Sequence, residues 1–219
     1  ILEDIAKSVK ERMQRDTLTL EDIAGLGIGV PGPVKEDGTV LKCANLGWGV
    51  FNVADTVREL TGIENVKVGN DANVAALGEM WQGGGKGYNN LVMVTLGTGV
   101  GGGVILGGKI LTGSNGAGGE IGHIRVNYEE KDVCGCGKTG CLEQYASATG
   151  VVRLAKKALE KKEKKTTLVA DDLSAKAVFD AAKAGDELAM DIVEEFGFYL
   201  GMALAHISQV IDPEVFVIG

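Results

Sequence analysis

Three cysteines and a histidine lie close together in the middle of the chain, with a spacing that suits metal binding. The pattern H-x10-C-x-C-x4-C is formed by His123, Cys134, Cys136 and Cys141 and uses three of the four cysteines. Three thiolates and one imidazole make a closed tetrahedral ligand set for a structural zinc ion. A disulfide would leave one clustered cysteine unpaired, and a glycine-rich turn would carry the thiols only incidentally. The spacing therefore predicts a Zn²⁺ site.

Two glutamates flank this cysteine loop. Glu120 lies three residues before His123, and Glu143 lies two residues after Cys141. A metal bound to the loop would hold both carboxylates in fixed positions, and the second nitrogen of a metal-bound imidazole can still donate a hydrogen bond. Either glutamate alone is more simply an exposed surface residue. Together with the imidazole N–H, the pair suits a ligand rich in hydroxyl groups, such as a sugar.

Asn70 and Asp71 stand at another junction, after an apolar strand predicted over residues 65–69. They open a helix predicted to reach about Trp81. Asp at such a junction is commonly the N-cap of the helix. The alternative is a general base beside a hydroxyl nucleophile, as phosphoryl transfer from ATP requires. The local pattern leaves both interpretations open.

The glycine-rich run GTGVGGG, residues 97–103, lies between strands predicted over 91–96 and 104–106. It matches G-x-G-x-x-G, but a dinucleotide fingerprint requires a helix to follow, and here a strand follows. The Lys-Ser/Thr pair of a P-loop is also missing. Main-chain N–H groups and the Thr98 hydroxyl can still contact phosphate oxygens. Phosphate contact is the favoured interpretation, and a plain tight hairpin is the alternative.

The composition excludes several classes of function. A chain of 219 residues with 45% hydrophobic and 24% charged residues is typical of a globular protein with one or two domains. A net charge of −8 argues against a nucleic-acid partner. The longest apolar region, Leu91 to Leu106, is too short to cross a bilayer. Clustered cysteines beside His123 fit a reducing compartment and predict a cytoplasmic protein.

Strands and helices alternate along the chain, which predicts an α/β protein whose sheets are mixed because of the hairpin after Leu96. Glycines at 83–87 suggest a boundary between a domain over residues 1–86 and another over 87–219. After the cysteine loop the pattern predicts helices over 147–162, 174–183 and 187–210, then a strand over 214–218.

Taken together, the motifs resemble those of one known family. The order GNDAN (69–73), GTGVGGG (97–103), GGEIGH (118–123) and CGCGKTGCLE (134–143) is similar to the ROK family of sugar kinases and sugar-responsive repressors. ANLGW (44–48) and ASATG (146–150) resemble its glucokinase branch. The resemblance implies the actin/hexokinase-like ATPase fold, ribonuclease-H-like, with two domains around a cleft. It also implies ATP-dependent phosphorylation of glucose at the 6-hydroxyl.

The same resemblance implies roles for individual residues. Asp71 is the expected catalytic base, in the smaller domain over 1–86, while the phosphate and zinc loops lie in the larger domain. Mg²⁺ is expected with ATP, and a homodimer or homotetramer is the expected assembly. The residues expected to contact the sugar are Asn70, Asp71, Glu120, His123, Glu143 and Gly32. Those expected to contact phosphate are Gly97, Thr98, Gly99, Gly101 and Gly102.

The chain also departs from the family pattern. The N-terminal D-x-G-x-T phosphate motif is absent, and the adenosine motif would follow the strand that here ends at Gly219. The chain is therefore expected to be incomplete at both termini and inactive by itself. Two alternatives stay open: a ROK kinase for another hexose, such as fructose or N-acetylmannosamine, and a ROK repressor with a DNA-binding segment upstream of Ile1.

Overall fold

The computed structural model describes residues 1–41, 43, 46–161 and 164–219. Ala44 and Asn45 of the ANLGW motif and Lys162 of the predicted helix lie outside the described residues. The helices are α1 (Leu2–Arg15), α2 (Val53–Thr61), α3 (Asp71–Gln82), α4 (Glu143–Ala146), α5 (Ala148–Lys161), α6 (Ala175–Lys183) and α7 (Glu187–Ile211). The strands are β1 (Leu26–Val30), β2 (Thr39–Val40), β3 (Phe51–Asn52), β4 (Val66–Asn70), β5 (Leu91–Leu96), β6 (Val100–Leu106), β7 (Lys109–Ile110) and β8 (Val215–Ile218).

The strands of the described residues form three sheets. β1 and β4 pair in parallel, and β2 and β3 pair antiparallel. The third sheet has the order β7-β6-β5-β8, in which β5 is antiparallel to β6 and parallel to β8. The mixed sheet predicted from the hairpin is thus confirmed. Within the described part of the chain, no helix is long and apolar enough to cross a membrane.

Strand β5 is apolar and buried from Leu91 to Val94 because helices cover both faces of its sheet. Val92 and Val94 join the large core built with α4 to α7. Leu91 and Met93 point to the other face and pack with Ala76 of α3. A strand buried on both faces loses the polar alternation of a surface strand. Helix α3 therefore lies directly on this sheet while starting from the end of β4.

The first sheet has its own core. Val30 of β1 and Val66 of β4 pack with Val53 and Val57 of α2. Helix α2 begins after Asn52, whose side chain accepts the main-chain N–H of Asp55 at 2.9 Å, and it ends at Gly62 with φ of 81°. A left-handed residue at the C-terminus of a helix is usually glycine. The division at residues 86 and 87 stays a prediction.

Two predicted elements differ from the structure. Strand β6 begins at Val100, so Gly101, Gly102 and Gly103 are strand residues and not part of a loop. The helix predicted over 147–162 begins one residue later, at Ala148, because Ser147 is extended (φ −93°, ψ 165°), and the short helix α4 before it was not predicted. The Ser147 hydroxyl accepts the N–H of Gly150 at 2.8 Å, so Ser147 separates α4 from α5 as a local cap.

Glycines in β6 allow α3 to approach the sheet closely, which leads to a stability prediction. A Cβ atom at Gly103 would lie 2.5 Å from the Ala76 Cβ and 2.9 Å from the Ala72 carbonyl oxygen. We expect Gly103→Ala to lower the free energy of unfolding by about 1–3 kcal/mol, because overpacking forces the helix away from the strand. Denaturant unfolding followed by circular dichroism measures this change.

Gly27→Ala is the matched control for this substitution. Gly27 is also a strand glycine, in β1, but a Cβ atom there would meet no atom within 4 Å. Alanine at such a position should be neutral or slightly stabilising, because it restricts the unfolded chain. Equal midpoints for the two variants would contradict close packing of α3 on β6.

Candidate active site

A cavity of about 730 Å³ opens at the ends of β1 and β4 and extends to the β5–β6 hairpin. The parallel strands β1 and β4 end side by side at Val30 and Asn70. Ligands of α/β sheets commonly bind at the carboxyl ends of strands. The lining includes Gly32, Asn70, Asp71, Gly97, Thr98, Gly99, Gly101, Gly102, Glu120, His123 and Glu143. The structure thus brings every predicted sugar and phosphate contact to the same cavity.

The cap of helix α3 is Asn70 and not Asp71. The Asn70 Oδ1 atom accepts the main-chain N–H of Asn73 at 3.1 Å, and its Nδ2 atom donates to the Gly32 carbonyl at 3.3 Å. Asp71 is the first helical residue, is exposed, and accepts the N–H of Ala72 at 2.8 Å. The capping interpretation of Asp71 is therefore wrong. Its carboxylate borders the cavity without serving as the helix cap.

The tip of the β5–β6 hairpin is only three residues long, Gly97 to Gly99. It is held against the start of α5: Ala148 N–H donates to the Gly97 carbonyl at 2.9 Å, and the Thr149 hydroxyl donates to the Thr98 carbonyl at 2.8 Å. The predicted phosphate loop over 97–102 is therefore shorter than expected. Gly101 and Gly102 border the cavity from within strand β6.

Glu143 connects this hairpin with the cysteine loop. It is the first residue of α4, and its Oε2 atom accepts the main-chain N–H of Val100 at 3.1 Å. Its Oε1 atom lies 3.8 Å from the Cys134 Sγ atom. A Cβ atom at Gly99 would lie 2.4 Å from the Glu143 Oε2 atom, so the hairpin tip passes close to this carboxylate.

His123 lies between the cavity and the cysteine cluster, at the end of a 3-10 turn that follows Glu120. Its Nδ1 atom is 3.8 Å from the Cys134 Sγ atom. Since Nδ1 faces the sulfur atoms, Nε2 is the ring nitrogen left for a ligand in the cavity. The arrangement permits the two functions expected of this histidine, one for each nitrogen.

The four predicted metal ligands converge. The ligand atoms of His123, Cys134, Cys136 and Cys141 all lie within 4.8 Å of one another, and the Sγ atoms of Cys136 and Cys141 are 3.6 Å apart. In a tetrahedral site with Zn–S distances of about 2.3 Å, neighbouring ligand atoms are about 3.8 Å apart. Donor set and spacing both fit zinc.

Thiol ionisation is coupled to metal binding at this cluster. Burial raises the pKa of Cys141 to about 12, and burial also raises the pKa of Cys134. At Cys136 burial acts in the same direction, but the N–H of Lys138 and the neighbouring thiols lower the pKa. A metal must therefore displace protons from buried thiols, so its retention should weaken as the pH falls.

Asn73 does not line the cavity but lies behind it, and no motif predicted a role for it. Asn73 is 6% exposed, and its Oδ1 atom is the only buried side-chain nitrogen or oxygen without a hydrogen-bond partner among the described residues. It lies close to Gly119, which precedes Glu120. Buried amides normally find partners. The repeated asparagine in the Asn70-Asp71-Ala72-Asn73 motif was the available signal.

A second cavity was also not expected. It has a volume of about 650 Å³ and shares Thr98 with the first cavity. It is lined by Thr149 at the beginning of α5, by Ser174 at the beginning of α6 and by Lys156 in the second half of α5. Hydroxyl groups, a lysine and helix N-termini favour anions. No motif predicted this cavity, because its residues come from segments that the hairpin brings together.

These features define a class of protein before any comparison. An acidic residue at a strand end, a glycine hairpin and paired carboxylates surround one cavity at the carboxyl ends of parallel strands, which is the usual place of a ligand site in an α/β protein. The model of the ROK family matches residues 1–219. The chain belongs to the ROK family, and it has the actin/hexokinase-like fold of that family.

Similar proteins include both enzymes and a regulator. A glucokinase of Halalkalibacterium halodurans is 45% identical over 224 residues, covering 100% of this chain and 68% of that protein. A ROK glucokinase from Streptomyces griseus, solved with glucose and AMPPNP, is 35% identical with a TM-score of 0.77 and covers 99% of this chain and 71% of that one. A ROK transcriptional regulator, a homologue of the E. coli MLC protein, is 30% identical with a TM-score of 0.86 and covers 100% of this chain and 55% of that one.

Zinc binding gives the prediction for this site. We expect about one equivalent of zinc per chain after washing with a weak chelator, because four convergent ligands form a closed site. Cys134→Ser should lose most of that zinc, and elemental analysis by plasma mass spectrometry measures it.

Cys43→Ser is the control for metal content. Cys43 is buried, lies outside the cluster, and its Sγ atom is 3.1 Å from the Pro31 carbonyl oxygen. Its substitution should leave the zinc content unchanged. The assignment would be contradicted if the purified wild-type protein contained no zinc and the Cys134→Ser and Cys43→Ser variants had the same free energy of unfolding.

Proposed function

We propose that the protein carrying this chain phosphorylates the 6-hydroxyl of glucose with ATP. The observation that carries this proposal is the position of Asp71 in one cavity with the glycine hairpin and with Glu120, His123 and Glu143. A hydroxyl nucleophile, its base and a phosphate donor must meet within a few ångströms for phosphoryl transfer. The glucokinase relative at 45% identity supports the same activity.

Sugar binding is assigned to the polar groups of this cavity. The carboxylates of Glu120 and Glu143 accept hydrogen bonds from sugar hydroxyls, and the Asn70 amide and the His123 Nε2 atom supply donors. Asn70 already donates to the Gly32 carbonyl at 3.3 Å, so a sugar held by Asn70 would lie next to the turn after β1. Charge-assisted hydrogen bonds of this kind recognise hydroxyl patterns more strongly than neutral ones.

Asp71 is assigned the role of general base. As the sugar oxygen forms its bond to the γ-phosphorus, its proton passes to the Asp71 carboxylate, the bond between the γ-phosphorus and the bridging oxygen breaks, and ADP leaves. Asn70 takes the helix cap, so ionisation of Asp71 does not compete with capping of α3. Mg²⁺ supplies charge neutralisation for the phosphates when ATP is bound.

The nucleotide is assigned to the hairpin tip and the second cavity. Main-chain N–H groups at Gly97 to Gly99 and the Thr98 hydroxyl can contact phosphate oxygens. The second cavity begins at Thr98 and includes Thr149 near the N-terminus of α5 and Lys156 further along the same helix. Because Thr98 lines both cavities, a nucleotide could extend from the sugar in the first cavity into the second cavity. Glu143 lines the cavity assigned to the sugar and accepts the N–H of Val100 beside the hairpin tip, so it contacts both the sugar part and the nucleotide part of this path.

A sugar-responsive repressor is the second candidate, favoured by the likeness to the ROK regulator at a TM-score of 0.86. A repressor needs only to bind the sugar. It does not need a general base beside a phosphate-binding hairpin. A coupled assay for ADP across glucose, fructose, N-acetylmannosamine and xylose distinguishes the candidates. Turnover with glucose supports the proposal, turnover with another hexose changes the substrate, and sugar binding without turnover favours the regulator.

Substitution of Asp71 tests the mechanism in the full-length protein. Asp71→Asn should lower kcat at least about 100-fold, because the amide cannot accept the hydroxyl proton. The Kd for glucose should change much less, since the amide keeps its size and hydrogen-bonding groups. Steady-state kinetics and calorimetric titration with glucose measure the two quantities.

Asp55→Asn is the matched control for Asp71→Asn. Asp55 also lies in the first turn of a helix, α2, but it does not border the cavity. Its substitution should leave kcat unchanged. An Asp71→Asn enzyme with near-normal turnover would remove Asp71 from the mechanism.

A further inference from the structure

A buried carboxylate, which the proposed reaction does not use, collects several donors beside the cysteine loop. The Glu130 side chain is 8% exposed. It accepts hydrogen bonds from the Tyr145 hydroxyl at 2.8 Å, from Arg153 Nη1 at 2.8 Å and from Lys157 Nζ at 3.2 Å. The main-chain N–H of Asp132 donates to it at 3.0 Å. Burial alone would raise the pKa of Glu130, but these donors hold it well below its usual range.

The same donors connect Glu130 with helix α4. Arg153 Nε and Nη2 donate to the Gln144 carbonyl at 3.2 and 3.0 Å. The Gln144 side chain in turn donates to the Asp132 carbonyl at 3.0 Å and accepts the Cys141 N–H at 3.1 Å. One network therefore joins the segment before the cysteines, the last metal ligand and the short helix.

Helix α4 depends on such contacts for its position. It has four residues, Glu143 to Ala146, and a helix of about one turn is not stable by itself. Its first residue is Glu143, which borders the first cavity and bonds the Val100 N–H. A displacement of α4 would therefore move this carboxylate and the Cys141 main chain together.

Charge determines how much this network resists displacement. Removing one partner of a buried ion pair leaves the other charge uncompensated, and the neighbouring groups then rearrange. Arg153 is paired with Glu130 and, at 2.9 Å, with the partly exposed Asp132. Without the Glu130 charge, the Arg153 guanidinium is drawn towards Asp132. Its two hydrogen bonds to the Gln144 carbonyl are then weakened, because Glu130 no longer holds the guanidinium in place.

We propose that Glu130 is a positioning residue: through Arg153 and Tyr145 it holds α4 so that Glu143 meets the sugar and Cys141 meets the metal. Glu130 itself touches neither ligand. The sugar part of this proposal rests on the proposed function, whereas the metal part rests only on the cysteine cluster. The class of ligand affected is a hexose in the first cavity and a divalent metal in the loop.

Glu130→Gln tests the proposal in the full-length protein, because the amide keeps the shape of the side chain and removes its charge. Substitution of groups that orient metal ligands commonly changes affinity about 10- to 100-fold. We expect zinc release to a chromogenic chelator to be at least about tenfold faster. We expect the KM for glucose to rise about tenfold.

Glu129→Gln is the control, since Glu129 is the exposed neighbour in the same segment. It should leave zinc release and the KM for glucose unchanged. A KM for glucose equal to that of Glu129→Gln, or zinc release equal to that of Glu129→Gln, would overturn the positioning role. If Glu130→Gln does not fold, Glu130→Asp keeps the charge with a shorter reach and should show the same shifts at smaller size.

The two measurements also separate this proposal from the proposed function. If the wild-type protein shows no turnover with any hexose, the kinase assignment fails. Zinc release from Glu130→Gln and Glu129→Gln then still tests the network. Faster release from Glu130→Gln supports it, and equal release rejects it.

Discussion

The cavity depends on the contact between helix α3 and strand β6, which only glycines permit. A Cβ atom at Gly101 would lie 3.2 Å from the Ala72 Cβ, and one at Gly103 would lie 2.5 Å from the Ala76 Cβ. Side chains at these positions would push the helix away from the sheet. Because α3 carries Asp71 at its first residue, the same contact brings the carboxylate to the hairpin. Glycine is used here for close approach more than for flexibility.

A second constraint acts from the opposite side of the cavity. Glu143 accepts the N–H of Val100 and begins the short helix that follows the cysteine loop. The Glu143 carboxylate therefore connects the cysteine cluster, α4 and the hairpin. A metal bound to the cysteine loop would make this glycine-rich segment rigid, and rigidity would position the polar groups of the cavity for a ligand.

Much of the fold could be predicted because local patterns agree with it. The helix from Asn52 to Gly62 has both its capping residues, and the apolar run 91–96 is a strand buried on both faces. The sequence could not predict that β6 begins at Val100, since its first four residues include three glycines and are typical of a loop. Nor could it predict helix α4, because four residues are too few to show a helical pattern and a helix of about one turn is stable only through its tertiary contacts.

The sequence by itself determined the membership of a family, and it predicted the candidate site residues: the four metal ligands, the flanking glutamates and the strand-end Asp71. Types and spacing are sufficient there because each motif is local in the chain. Only the tertiary structure decided which residues meet. It assigned the helix cap to Asn70, joined Glu143 to Val100 over 43 positions of sequence, and placed Glu130 among donors from α4 and α5. Such contacts depend on how helices pack on a sheet, and that packing is a property of the whole core and not of any one segment.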